Sequence, residues 1–173
     1  MFYQHFNLPV LPVSLVTQAL SIANKIQSTN EARGVYRRYP VTSDILVWCQ
    51  ENILSSIQNN FKIGTQVFSG QPEYPHTDGK RGVKALNFLI DAGGDNVETV
   101  WFQEQGHSIT RQRGYIAPAN AQLEELCRTC FVEHTWQIVQ TDIIHTVENV
   151  SRPRIALSIG LEDDEFNKFI QTL

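Results

Sequence analysis

Val83-Lys84-Ala85-Leu86-Asn87-Phe88-Leu89-Ile90-Asp91-Ala92-Gly93-Gly94-Asp95-Asn96-Val97-Glu98-Thr99-Val100-Trp101-Phe102-Gln103-Glu104-Gln105 is the stretch that decides the fold. Two short apolar runs flank a cluster of Gly, Asp and Asn, the pattern of two β-strands joined by a turn. The spacing predicts strands over 83–91 and 99–105. Ala92 to Asn96 forms the expected hairpin turn, because Gly and Asn take positive φ at little steric cost.

Outward from this segment the same texture continues. Further strands are expected near Lys62 to Ser69, Cys130 to Val139, Ile144 to Glu148 and Arg154 to Gly160. The first third differs. Leu15, Ala19, Ile22, Ala23 and Ile26 recur at helical spacing behind a capping Ser14. Ile45, Leu46, Cys49, Ile53, Leu54 and Ile57 do so behind Ser43, ending near Asn59-Asn60. Gly34 to Tyr39 reads as a short extended piece between the two helices. Asp163 or Asp164 opens a last helix, with acidic residues where they favour an N-terminus.

Helices followed by many short strands pack as a sandwich or barrel with the helices outside. The expected architecture is mainly β with flanking helices: a double-stranded β-helix, or cupin-like jelly roll, with the N-terminal helices packed against its exterior. One domain over residues 1–173 is expected. It comprises a helical part to about 60, a β core from about 61 to 160 and a C-terminal helix from about 163 to 173.

Composition narrows the function. With 42% hydrophobic residues in 173, the chain can bury a sizeable core. A net charge of −4 and scattered Lys and Arg argue against a nucleic-acid partner. Pro9 and Pro12 interrupt the segment Met1 to Val13, which does not read as a signal peptide, and no run is apolar for long enough to cross a bilayer. Three cysteines, an odd number, fit a reducing cytoplasm better than a secreted disulfide framework. Oligomeric state is not legible.

Chemistry concentrates in Tyr74-Pro75-His76-Thr77-Asp78-Gly79. In an extended chain, residues two apart project to one face, so His76 and Asp78 can grip one ion. His145, on a strand between apolar neighbours, is the candidate third ligand. Two imidazoles and one carboxylate on one face of an octahedral ion leave adjacent positions open, the pattern associated with non-haem Fe(II) oxygenases. A His-x-Asp alone is weak evidence, and its structural alternative is a loop with a local hydrogen bond. The downstream order adds weight: His145, then a turn at Glu148-Asn149-Val150-Ser151, then Arg152-Pro153-Arg154 opening the strand Ile155-Ala156-Leu157-Ser158-Ile159.

From Tyr74 to Ile159 the chain resembles the 2-oxoglutarate and Fe(II)-dependent dioxygenase superfamily, particularly its small prolyl-hydroxylase-like and aspartyl/asparaginyl-hydroxylase-like members. The matching residues are His76-Thr77-Asp78-Gly79, the strand Ala85 to Leu89, and His145 through Ser158. The resemblance implies Fe(II) held by His76, Asp78 and His145, with 2-oxoglutarate as co-substrate, dioxygen, and ascorbate as an accessory reductant. The implied substrate is a peptidyl residue or a small molecule. It also places a basic residue one hairpin after the distal histidine, where Arg154 stands, to bind the far carboxylate of the keto acid. A guanidinium suits that task because its planar fork matches a carboxylate and stays charged when partly buried. Arg154 is favoured over its competitor Arg152, and Ala156 departs from relatives that carry Ser there.

Asn87 sits on the strand face of Ala85 and Leu89, either as a co-substrate contact or bonded to neighbouring backbone. Tyr74 and Trp101 are candidate pocket walls, with plain core the alternative. Cys127-Arg-Thr-Cys130 lacks a second pair and is expected to be structural. His107 and His134 are expected in solvent, His5 lies near a terminus, and Glu162 to Glu165 are expected at a helix start. Two rivals remain: a non-catalytic metal- or ligand-binding cupin-like jelly roll, and a cupin-type hydrolase or isomerase with more histidine ligands.

Overall fold

A computed structural model describes residues 2–28, 35–55, 61–69, 74–78, 84–106 and 114–173. Two antiparallel sheets form its body. The larger runs in the order β1 (Tyr3–Phe6), β7 (Trp136–Gln140), β4 (Lys84–Asp91), β9 (Arg154–Leu161), β3 (Lys62–Ser69), β2 (Val35–Tyr39). The smaller runs β6 (Leu123–Cys130), β5 (Glu98–Glu104), β8 (His145–Glu148), and a single bridge from His76 to His145 lengthens it by one short segment. From β3 the chain passes through the bridged His76 segment of the smaller sheet to β4, crosses to the hairpin of β5 and β6, and then alternates through β7, β8 and β9, the winding of a double-stranded β-helix, or jelly roll.

Period-two alternation sorts each strand of the larger sheet into two faces. Leu86, Phe88, Ile155, Leu157 and Ile159 point outward onto α1 (Val13–Ser28) and α2 (Ser43–Asn52), and join Leu15, Ala19, Ala23, Ile45 and Cys49 in one buried cluster. Ala85, Asn87, Leu89, Arg154 and Ala156 point the other way, toward the smaller sheet. Leu89, Val139 and Ala156 meet Trp101 and Phe131 in a second cluster between the sheets. A third helix, α3 (Asp163–Ile170), buries Phe169. Lys84 ties it to the sheet, with Nζ 3.3 Å from Asp163 and 3.9 Å above the Phe166 ring. No helix among the described residues is long and apolar enough to cross a membrane.

Several expectations are corrected. The strand expected over Cys130 to Val139 is two strands, β6 and β7, separated by a turn in which His134 takes φ 59°. Ala92 to Asn96 does turn, with Gly93 at φ 85°, but it carries the chain from one sheet to the other instead of closing a hairpin, since β4 and β5 do not pair. The N-terminal part is not wholly helical, because β1 pairs with β7 along the sheet edge. Thr42, not Ser43, caps α2, its Oγ1 accepting from Ile45 N at 3.4 Å. Ser14 lies within α1, whose first bonds run to Pro12 O. Helix α2 ends at Asn52, and α3 ends at Ile170. Gly34, Ile57, Asn59-Asn60, Gly79, Val83 and His107 lie outside the described residues.

Candidate metal centre

The three candidate ligands arrive from two segments, 76–78 and the start of β8, that hydrogen bonds lock together. His76 N donates to His145 O at 2.9 Å and His145 N to His76 O at 2.8 Å, a reciprocal pair that joins the first histidine's segment to β8. Asp78 N donates to Thr141 O at 2.8 Å. Between them Thr77 turns away, its N donating to Tyr115 O at 2.8 Å and its Oγ1 accepting from Tyr115 N at 2.9 Å. The alternation of His76, Thr77 and Asp78 thus sends both ligand candidates inward while the residue between them anchors the segment.

Each imidazole is oriented by the carbonyl two residues before it. Nδ1 of His76 lies 3.0 Å from Tyr74 O, and Nδ1 of His145 lies 2.9 Å from Ile143 O. A carbonyl only accepts, so each Nδ1 donates there, and in the neutral imidazole each Nε2 presents a lone pair. Those Nε2 atoms stand 3.6 Å and 4.0 Å from Asp78 Oδ1. One ligand atom from each of the three residues lies within 4.8 Å of the others, a group that can hold a metal ion. Orientation of ligating histidines through their second nitrogen is the usual support for a metal site.

The group opens on a cavity of about 90 Å³ between the sheets, also lined by Asn87, Gln137, Thr99, Phe131 and Arg154. Arg154 Nη1 is buried and has no hydrogen-bond partner among the described residues. Its guanidinium faces the Phe131 ring at 5.5 Å, and burial lowers its pKa from 12.5 to about 10. A desolvated cation with an unmet donor, beside a cavity, suits an anionic ligand.

The other sequence-derived candidates divide. Asn87 lines the cavity, with Oδ1 buried and without a hydrogen-bond partner among the described residues. Arg152 does not line it: its exposed guanidinium is paired with Asp91 on the outside of the crossover turn. Tyr74 offers its carbonyl to His76 while its side chain is 66% exposed. Trp101 is fully buried core one step from the cavity, stacked on Tyr3 and donating from Nε1 to Gln140 O at 2.9 Å. Cys127 and Cys130 are free thiols, the first packed against the inner cluster and the second exposed. His134 is exposed, as expected, and His5 is exposed too. The sequence reading missed Gln137, Thr99 and Phe131. For Gln137 a signal existed, namely a lone amide on the inward face of a fully buried strand, as for Asn87.

No protein-family model matches the chain, and no curated protein matches it. Among solved structures, a Pseudomonas putida prolyl-4-hydroxylase resembles it with a TM-score of 0.48 at 12% identity, over 92% of this chain and 91% of that one. SnoN, a non-heme alpha ketoglutarate dependent epimerase from nogalamycin biosynthesis, resembles it with a TM-score of 0.42 at 12% identity, over 92% of this chain and 78% of that one. A fold does not carry a function, which has to come from the site.

Proposed function

We propose that this chain is a non-haem Fe(II) and 2-oxoglutarate-dependent dioxygenase that hydroxylates a peptidyl residue or a small metabolite. One observation carries the reading: two imidazoles with their Nδ1 atoms engaged turn Nε2 toward one carboxylate, beside a cavity lined by a buried guanidinium whose Nη1 has no hydrogen-bond partner among the described residues. Two neutral nitrogens and one carboxylate suit Fe(II) and leave coordination positions for a keto acid and dioxygen. The orphaned Arg154 Nη1 suits the far carboxylate of a five-carbon keto acid, so the residues present fit both groups.

In this reading His76, Asp78 and His145 hold the metal, and Arg154 anchors the co-substrate. Phe131 and Val139 help exclude water from the space between. When bound, iron and 2-oxoglutarate supply the oxidising chemistry: one atom of dioxygen leaves in succinate, released with carbon dioxide, and the other enters a C–H bond of the substrate. The substrate approaches from the side of His76 and Asp78, where the neighbouring Tyr74 and Ile116 are exposed. The free cysteines are consistent with a reducing compartment.

Succinate release that requires both Fe(II) and 2-oxoglutarate, screened with peptides against metabolites, tests the proposal, and His145→Ala should abolish it. Metal and keto acid binding without succinate under any substrate would instead identify a non-catalytic jelly roll.

A further inference from the structure

The waist of the cavity holds a feature that a plain dicarboxylic acid does not match. Gln137 and Asn87 are direct cross-strand partners, so their side chains share the inward face of β7 and β4. Gln137 Oε1, Asn87 Oδ1 and, from the facing sheet, Thr99 Oγ1 are all buried and have no hydrogen-bond partner among the described residues. The Gln137 amide cannot be turned to relieve this. Its Nε2 donates to Val132 O at 2.7 Å and Thr135 Oγ1 at 3.1 Å, and a flip would set its oxygen against that carbonyl.

Strand register places this row. Along β7 the chain leads from Gln137 to Thr141, whose carbonyl holds Asp78, so the metal candidates lie at that end. In β9, Ser158 stands opposite Asn87, and Arg154 begins that strand on the far side of this row from Thr141, its long side chain lining the same cavity. Thr99 pairs with Val147, one inward position beyond His145 on the same sheet. A keto acid stretched from the metal to Arg154 therefore passes its middle carbons by one fixed amide oxygen, Gln137 Oε1, and the Thr99 hydroxyl, with the Asn87 amide beside them. Methylenes there would leave buried acceptors unmet, a recognised cost in binding.

We infer that this waist is a hydrogen-bond subsite specific for a hydroxyl in the middle of the co-substrate chain, so that the cavity prefers a 2-oxo dicarboxylic acid hydroxylated at its fourth carbon. Such a hydroxyl donates to Gln137 Oε1 and accepts from Thr99 Oγ1. An ammonium would satisfy the oxygens equally but would share the cavity with the Arg154 cation, which disfavours it.

This inference rests on the keto acid reading of the cavity. Its test uses the full chain loaded with Mn(II) under anaerobic conditions, titrated calorimetrically with 2-oxoglutarate and with 4-hydroxy-2-oxoglutarate. The hydroxylated acid should bind about fivefold to tenfold more tightly, the worth of one buried hydrogen bond. That preference should vanish in Gln137→Leu and, where the loss of the bonds to Val132 and Thr135 prevents folding, in Thr99→Val. Equal affinity for the two acids, as when a co-bound water meets the acceptors, or a preference surviving in both variants overturns the subsite alone. Binding of neither acid overturns the keto acid reading with it.

Discussion

Arg154 is the residue on which structure and proposed chemistry pull hardest against each other. Its pKa lies below that of an exposed guanidinium, so the unfolded chain holds the proton more tightly than the fold does. At any pH below about 10 the folded protein carries this penalty in full, and stability rises with pH only between about 10 and 12.5. At about 1.4 kcal/mol per pH unit, the cost is on the order of 3 kcal/mol. Arg154→Met, which keeps the volume and removes the charge, should therefore raise the ligand-free melting temperature while weakening 2-oxoglutarate binding about a hundredfold, by calorimetry. Arg152→Met should change both by little, because its pair with Asp91 is exposed and worth about 0–1 kcal/mol. A lower melting temperature for Arg154→Met would show that the guanidinium is a structural pin. Cys49 belongs at this scale too. Burial raises its thiol pKa to about 12, so native alkylation should label Cys130 and spare Cys49 until the protein unfolds, as peptide mass mapping would show.

Among elements, the crossover turn after β4 sets where Arg154 stands. Gly93 has φ 85°, and its carbonyl accepts from Ser151 N and Arg152 N, both at 2.9 Å. A Cβ there would meet Arg152 O at 2.8 Å and Arg154 Cβ at 2.9 Å. Gly93→Ala should thus cost about 1–3 kcal/mol of stability and weaken keto acid binding as well, measurable by denaturant unfolding and calorimetry. Full affinity in the folded variant would uncouple the turn from the site. What was legible in sequence follows from the same geometry. That His76, Asp78, Asn87, His145 and Arg154 line one cavity was legible in part from strand alternation, which sends His76 and Asp78 to one face, and in part from resemblance to the dioxygenase superfamily, which singled out Arg154. Gln137 and Phe131 were lost because the turn between β6 and β7 contains neither Gly nor Pro: His134 takes the left-handed conformation, which His tolerates better than most residues, and no punctuation marks the break. The true cap of α2 was displaced by one residue because Thr42 and Ser43 are both good caps, and Thr42 also donates to Gln18 Oε1 at 2.5 Å on α1, a contact that sequence does not reveal. That Gly93-Gly94 turns the chain is local chemistry, whereas the sheet in which the next strand lands is decided by long-range pairing.

At the scale of the whole molecule, metal and keto acid should stabilise the fold by mass action, since the ligand candidates come from segments distant in the chain and meet only when it is folded. Ligand at a hundred times its dissociation constant adds about 2.7 kcal/mol. The melting temperature should therefore rise with Mn(II) and again with 2-oxoglutarate, and the second rise should be absent in Arg154→Met. The same convergence governs the central claim. Anaerobic addition of Fe(II) and then 2-oxoglutarate should produce a weak visible metal-to-ligand charge-transfer band in the native chain and none in His145→Ala. No band in the native protein, or an equal band after His145 is removed, would contradict the account.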